Sequence, residues 1–209
     1  MTDSHLLRRE AGCVGNKIPQ KKALKAAKLY DAAYDLFTSK GVHETVIDEI
    51  VKHAGVAKGT FYLYCKDKYD LVDKVIIRKI SFVLNSAMNS LAEKKETCQL
   101  DFQQRVIFFV DFMVNYFRGD AGFLELIFRN LSLSLCERLF RCEEMENTRQ
   151  AFISNFMLNG GSCANAEKRL YLIVCMVSVA CYNSIVLKIP YVFDEIKPEL
   201  YRSVQRILT

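Results

Sequence analysis

The sequence predicts an all-α protein with about nine helices, in which an N-terminal three-helix domain precedes a larger helical bundle. Only three prolines interrupt 209 residues, so long helices are feasible. Apolar side chains recur at helical spacing through most of the chain. Between residues 45 and 70, a short helix, a turn with glycine and a second short helix follow one another, which is typical of a helix-turn-helix.

Composition favours a soluble intracellular protein. Apolar residues make up 51% of the chain, the formal charge is +5, and the first residues lack the apolar core of a signal peptide. The eight cysteines include no Cys-x-x-Cys pair and no secretion signal accompanies them, so we expect a reducing, cytoplasmic location.

Motifs of catalysis and of metal binding are missing from the sequence. It has no glycine-rich phosphate loop and no Gly-x-Ser-x-Gly elbow, and its three histidines all lie in the first 53 residues. Their spacing to the cysteines does not suit zinc. We therefore predict no enzyme activity, no cofactor and no metal site.

The first segment, residues 1–19, is predicted to be a flexible basic arm, because it is polar and lacks periodicity. A helix is predicted over residues 20–40, where Leu29, Ala33 and Phe37 form an apolar stripe. It ends at Gly41 and braces the helix-turn-helix from behind. The DNA-binding domain is thus predicted over residues 20–66, and its crowded lysines favour phosphate contact.

Helix signals divide the helix-turn-helix itself. Thr45 is predicted as the N-cap of its first helix with Asp48 completing a capping box, and Gly55 as its C-cap. The second helix is predicted over residues 58–64, with Phe61 and Leu63 turned inward as anchors.

Side chains suited to phosphates and base edges crowd this second helix. The alternative is an ordinary two-helix corner with a solvated face. We predict the following DNA contacts: Thr45, Lys58, Gly59, Thr60, Tyr62, Tyr64 and Lys68.

A family resemblance rests on residues at fixed distances over about fifty positions. They are residues 29–37 (LYDAAYDLF), Lys40-Gly41, Thr45, Ile50, Ala54-Gly55-Val56, residues 58–62 (KGTFY), Tyr64, Lys68 and Leu71. This stretch resembles the N-terminal DNA-binding domain of TetR-family transcriptional regulators. The chain departs from the family pattern at Val46, Ala57 and Cys65.

The resemblance implies a mechanism. Members bind an inverted-repeat operator as homodimers, most often as repressors, and a small effector releases them. The fourth helix transmits the effector signal, and the last two helices pair with those of the second copy. The alternative is a helical interaction protein that keeps the helix-turn-helix but no longer binds DNA.

The remainder, residues 67–209, is predicted to form the ligand-binding and dimerisation domain. A long helix begins at Asp67 and ends in a charged break near residues 93–99. Asp101 opens the next helix, and others follow at about 123–128 and 134–158 before Gly160-Gly161-Ser162.

Aromatic and methionine side chains are abundant in this domain. A pocket for an apolar or aromatic effector is one explanation, and ordinary core is the other. The predicted pocket residues are Phe109, Phe112, Met113, Tyr116, Phe128, Phe152 and Phe156.

Residues 170–187 are the most apolar run, eighteen residues without a charge. Their length fits a membrane span, but a helix buried on all sides explains the run as well, and we favour it. A last helix is predicted over 199–208, with Pro198 in its first turn. The predicted dimer surface comprises Val179, Asn183, Val186, Leu200, Val204, Ile207 and Leu208.

Overall fold

A computed structural model describes residues 17–97 and 99–209, and this part of the chain is all-α, as predicted, with no strand. The helices are α1 Lys17–Lys40, α2 Ile47–Ala54, α3 Lys58–Tyr64, α4 Lys68–Thr97, α5 Phe102–Gly119, α6 Ala121–Arg129, α7 Leu133–Phe140, α8 Glu143–Leu158, α9 Cys163–Cys181 and α10 Phe193–Leu208. A π-helical turn, Tyr182–Leu187, extends α9. Most of the predicted basic arm lies outside the described residues, and α1 begins three residues before the predicted start.

The N-terminal domain (the head) packs α1, α2 and α3 around side chains that exclude water. Leu29, Ile50 and Phe61 are each 0% exposed, so each helix contributes one anchor to this core. Gly55 has φ +64°, and its N–H donates to the carbonyl oxygen of Lys52 at 3.2 Å. The predicted C-cap of α2 is thereby confirmed.

The predicted N-cap of α2 is wrong by one residue. Val46, not Thr45, holds the cap position, and its N–H donates to Glu49 Oε2 at 3.2 Å. The hydroxyl of Thr45 donates instead to the carbonyl oxygen of Gly41 at 2.7 Å, and the side chain is 0% exposed. Thr45 therefore closes the turn between α1 and α2, and its burial removes it from the predicted DNA contacts.

Helix α4 joins the head to the C-terminal helices (the body). It begins as predicted, because Asp67 Oδ1 accepts the N–H of Asp70 at 2.8 Å. Leu71 and Val75 of its first turns are buried. The helix continues to Thr97, through most of the predicted break at residues 93–99, because the lysines and glutamates there are good helix formers despite their charge.

Two helix boundaries of the body differ from the prediction. The helix predicted over 134–158 is split at Arg141 and Cys142 into α7 and α8, and three glutamates then occupy the electropositive first turn of α8. Helix α10 begins at Phe193, six residues early, and Pro198 lies inside it. Pro198 lacks only the one N–H that would bond the carbonyl of Asp194, and the flanking turns keep the helix intact.

Helix α9 is not buried on all sides, contrary to the prediction. Tyr171, Leu172, Val174 and Val179 are 45–61% exposed and form an apolar outer face. Among the described residues, Cys163–Leu187 is also the one helix that is long and apolar enough to cross a membrane. This is weak evidence for a membrane span, because core helices of soluble proteins pass the same test.

The predicted dimer surface divides between surface and core. Val179 is exposed, and Asn183, Val186 and Ile207 are half-buried. The structure contradicts the prediction for Leu200, Val204 and Leu208, which are 0–6% exposed. These three form the apolar stripe by which α10 packs inside its own protomer, so they are not free to contact a partner.

Candidate functional site

The outward face of α3 is the candidate site. Phe61 is fully buried, so residues about half a turn away from it face solvent. Lys58 has a side chain that is 57% exposed, Tyr62 is 56% exposed and Leu63 is 79% exposed. Leu63 was predicted as an inward anchor, and this prediction is wrong: Phe61 is the fully buried anchor of the helix, and Tyr64 packs partly buried against the same core. The outward face therefore carries one cation, one phenol and one leucine.

The backbone of α3 is open to close approach. A Cβ added at Gly59 would meet no atom within 4 Å, so nothing in the fold itself requires glycine there. Thr60 is half-buried beside it, and its N–H donates to the carbonyl oxygen of Ala57 at 2.8 Å. The missing side chain leaves the centre of the face accessible to another molecule.

Lys58 is held in place by a neighbouring carboxylate. Its Nζ lies 2.7 Å from Asp48 Oδ1 of α2, and this hydrogen bond raises the pKa of Lys58. Both side chains are well exposed, so water screens the pair and Lys58 is free to exchange the carboxylate of Asp48 for a phosphate.

Two further predicted contact residues are engaged within the head. The hydroxyl of Tyr64 donates to the carbonyl oxygen of Lys22 in α1 at 2.9 Å. Lys68 Nζ donates to the carbonyl oxygens of His43 and Thr45 at 3.1 and 2.9 Å. Tyr64 and Lys68 thus help to hold the head together, and their contact with DNA stays a prediction. The residues on the outward side of α3 itself are Lys58, Gly59, Thr60, Tyr62 and Leu63.

The hydrogen bond of Tyr64 also brings the basic start of α1 beside the end of α3. Lys22, Lys25 and Lys28 are exposed along this part of α1. Their charges extend the cationic surface beyond α3.

A chain of ion pairs and hydrogen bonds connects the body to α3. Arg138 of α7 lies 3.3 Å from Asp70 and 3.1 Å from Asp73, both in α4. Asp70 lies 2.8 Å from Lys74, which in turn donates to the carbonyl oxygen of Tyr64 at the end of α3. This Arg138 chain was missed by sequence reasoning because its members are far apart along the chain.

A second contact joins the body to α1. Asp120, between α5 and α6, accepts the hydroxyl of Tyr34 at 2.5 Å and lies 2.5 Å from Lys79 Nζ of α4. Lys79 Nζ also lies 3.4 Å from the centre of the Tyr34 ring. Burial alone would raise the pKa of Asp120, but the hydrogen bonds from Lys79 and Tyr34 hold it below its usual value. This group, the Asp120 triad, combines residues of three elements.

The predicted effector residues do not converge on one cavity. Phe112 and Tyr116 line a shallow depression of about 290 Å³, together with Phe108, Asp111 and Asn115. At the rim Asp111 pairs with Lys197 at 3.0 Å and accepts the Tyr201 hydroxyl at 2.6 Å.

The other predicted effector residues lie elsewhere in the body. Phe152 and Phe156 stack against each other and contact Phe102, with ring centres 5.5–6.2 Å apart. Phe128 stacks on Tyr182, 4.2 Å between ring centres. Phe109 and Met113 are half-buried on α5. Ordinary aromatic core, the alternative left open by the sequence, describes most of this set.

Known proteins resemble the chain in both sequence and fold. Residues 29–75 match the family model of bacterial regulatory proteins, tetR family. The fatty acid metabolism regulator protein of Bacillus subtilis (strain 168) is 32% identical over 75 residues, which cover 36% of this chain and 39% of that protein. The HTH-type transcriptional activator FasR of Mycolicibacterium smegmatis is 27% identical over 116 residues, 56% of this chain and 50% of that protein. The sequence matches thus span half or less of these relatives.

The fold comparison extends over most of the chain. The solved transcriptional regulator FadR from Bacillus subtilis, in complex with stearoyl-CoA, superposes with a TM-score of 0.65 at 17% identity and covers 87% of this chain and 96% of that one. Residues 29–75 thus carry the N-terminal domain of the tetR family of bacterial regulatory proteins, and the fold of the chain as a whole is similar to that of a solved transcriptional regulator.

Proposed function

We propose that this protein regulates transcription in the cytoplasm by binding inverted-repeat DNA as a homodimer, and that a small apolar effector releases it. The observation that carries the proposal is the outward face of α3. Lys58 and Tyr62 project to solvent around the bare backbone of Gly59, while Phe61 fixes the helix from behind. A helix so presented fits the major groove of a duplex.

The chemistry of the head suits a polyanion. Lys58 and the exposed lysines of α1 neutralise phosphates, and the phenol of Tyr62 donates a hydrogen bond to a phosphate oxygen. One seven-residue helix reaches too few base pairs to select a site. Two copies related by a two-fold axis read two half-sites, so an inverted repeat is the expected target.

The exposed face of α9 supplies a surface for the second copy. Tyr171, Val174 and Val179 recur at helical spacing on it. An exposed apolar face of this kind is most directly covered by the same face of a second copy. In a two-fold dimer each copy contributes the same surface, so the face need only be complementary to itself. Asn183 and Val186 of the π-helical turn lie half-buried at its C-terminal end.

An acyl chain is the effector class that we favour. FadR from Bacillus subtilis was solved with stearoyl-CoA, and its fold covers most of this chain. Here Phe108, Phe112 and Tyr116 line the depression on α5 with largely apolar surface. An acyl chain entering between α5 and its neighbours would alter α4, which the Arg138 chain and the Asp120 triad connect to the head. We favour repression as the outcome: the protein bound to DNA would block transcription, and its release by the effector would permit it.

Selection of duplexes from a randomised library by the full-length protein tests this proposal, followed by anisotropy titration of the selected duplex between 50 and 200 mM salt. We expect a palindromic consensus and an affinity that falls steeply with salt, because phosphate contacts release counterions. Recovery of no consensus would favour the alternative of a helical interaction protein that no longer binds DNA.

Gly59→Ala separates a DNA-contact role from a structural one. Alanine has open space there and a higher helix propensity, so it should stabilise the free protein by roughly 0.5–1 kcal/mol. The same methyl group should weaken DNA binding, since the duplex approaches this backbone. Gly119→Ala is the matched control: its site is also open but lies at the end of α5, and DNA affinity should stay unchanged. Unchanged affinity in both variants would refute close approach at Gly59.

A further inference from the structure

We infer that Leu63 is a specificity-determining residue that contacts the 5-methyl group of a thymine in each half-site. The inference rests on the proposed function and adds to it one base preference. Leu63, which was predicted to anchor α3, is instead the most exposed large apolar side chain of the described head.

The position of Leu63 on α3 places it at the centre of the outward face. It follows the buried Phe61 by two residues, about 200° around the helix axis, and follows Gly59 by one turn. Tyr62 lies to one side of this midline and Thr60 to the other. The midline of the recognition helix is therefore apolar: a bare backbone, then a leucine.

A leucine at this place can distinguish bases in only one way. It has no hydrogen-bond donor or acceptor, so it gains nothing from the polar edges of guanine, adenine or cytosine and leaves them without partners. Thymine alone presents a methyl group in the major groove, and apolar side chains are its usual contacts. Contact between the Leu63 side chain and that methyl group shields both from water, which favours binding to thymine.

The fold makes no use of Leu63 that would explain its identity. The side chain is 79% exposed, whereas Phe61 already fills the core position of α3. Truncation to alanine should therefore leave the thermal unfolding midpoint unchanged. A change in base preference without a change in stability is the signature expected of a contact residue.

The experiment uses the duplex selected by the wild-type protein, with each thymine replaced singly by deoxyuridine, which lacks only the methyl group. We expect one thymine per half-site at which the replacement weakens binding about fourfold, the value of one buried methyl group. Leu63→Ala should bind the thymine and deoxyuridine duplexes equally at that position. Leu133→Ala, which truncates an equally exposed leucine (78%) on α7, should keep the wild-type discrimination.

Each outcome decides the matter. Loss of discrimination in Leu63→Ala alone supports the inference. Equal binding of every deoxyuridine duplex by the wild-type protein, or discrimination that survives in Leu63→Ala, overturns it and leaves the proposed function intact. Failure to select any duplex overturns the proposed function and the inference together.

Discussion

Neutralising Asp120 should loosen the connection between head and body. In Asp120→Asn the side chain keeps its shape but loses its charge, and Lys79 remains over the ring of Tyr34 without a counterion. The amide oxygen can still accept both the hydroxyl of Tyr34 and the N–H of Phe123, which bond the same oxygen in the wild type. The main loss is therefore electrostatic.

The magnitude follows from the burial of the pair. Removing one partner of a fully buried ion pair costs about 3–5 kcal/mol. Asp120 and Lys79 have side chains that are 28% and 27% exposed, so water screens part of the interaction and about 1–3 kcal/mol is expected. For a chain of this size, that loss lowers the unfolding midpoint by about 3–10 °C.

The stabilisation that Asp120 provides depends on pH with a definite sign. The folded state holds the pKa of Asp120 below its ordinary value, so the stabilisation is present above the unfolded pKa and is lost as pH falls through the folded one. The difference in midpoint between wild type and Asp120→Asn should accordingly be full at neutral pH, begin to fall below the ordinary pKa of an aspartate, about 4, and vanish once the pH has passed through the lowered pKa of the folded state.

Calorimetry or circular dichroism at several pH values measures this difference. Asp31→Asn is the matched control, since Asp31 also joins α1 to α4 by an ion pair, 2.9 Å from Arg78, but the two side chains are 68% and 45% exposed. That pair should contribute about 0–1 kcal/mol. If both variants lose the same small stability at neutral pH, the reasoning from burial is refuted.

Three further predictions concern the head. Phe61→Ala should destabilise the protein by about 3–5 kcal/mol, because it empties the core behind α3. Urea unfolding would measure this loss, and an unaltered DNA affinity of the variant would contradict the anchoring role of Phe61. Gly55→Ala should lower the free energy of unfolding by about 1 kcal/mol in the same assay, because alanine is strained at the φ of +64° found there. An unchanged free energy of unfolding would show that the turn relaxes to accept alanine. Burial raises the pKa of Cys65 to about 11, so iodoacetamide at pH 8 should modify Cys65 far more slowly than the exposed Cys163. Peptide mass spectrometry would measure the two rates, and equal rates would show that the core around Cys65 opens.

Local signals in the sequence were reliable where one residue determines the backbone. Gly55 was predicted to end α2, and helices were predicted to open at Asp67 and Asp101; in the structure Gly55 is the C-cap of α2, and the two carboxylates cap the first turns of α4 and α5. A C-cap glycine or an N-cap carboxylate acts on atoms within three or four residues, so its effect is visible without the fold. The order of helices follows from such signals.

Features that depend on distant partners were not predictable. Arg138 and Asp70 are 68 residues apart, and only the packing of α7 on α4 joins them. Leu63 was misassigned because a helix of two turns has too few residues to define its buried face, and Phe61 and Tyr64 are the aromatic side chains of α3 that pack against the core. Leu200 and Val204 form a real apolar stripe, but periodicity cannot tell whether such a stripe packs within a protomer or against a second one.

The way α4 enters the head limits how the molecule can move. Its first turns bond to every neighbouring element: Lys68 to the loop before α2, Lys74 to the end of α3, and Arg78 to α1. A 30-residue helix is about 45 Å long, so a tilt of about 5° at the far end displaces the near end by about 4 Å. That displacement exceeds the rise of about 3.4 Å between neighbouring base pairs. Because α4 is one continuous helix, a small rotation deep in the body would, in the proposed complex with DNA, carry the outward face of α3 out of register with its half-site.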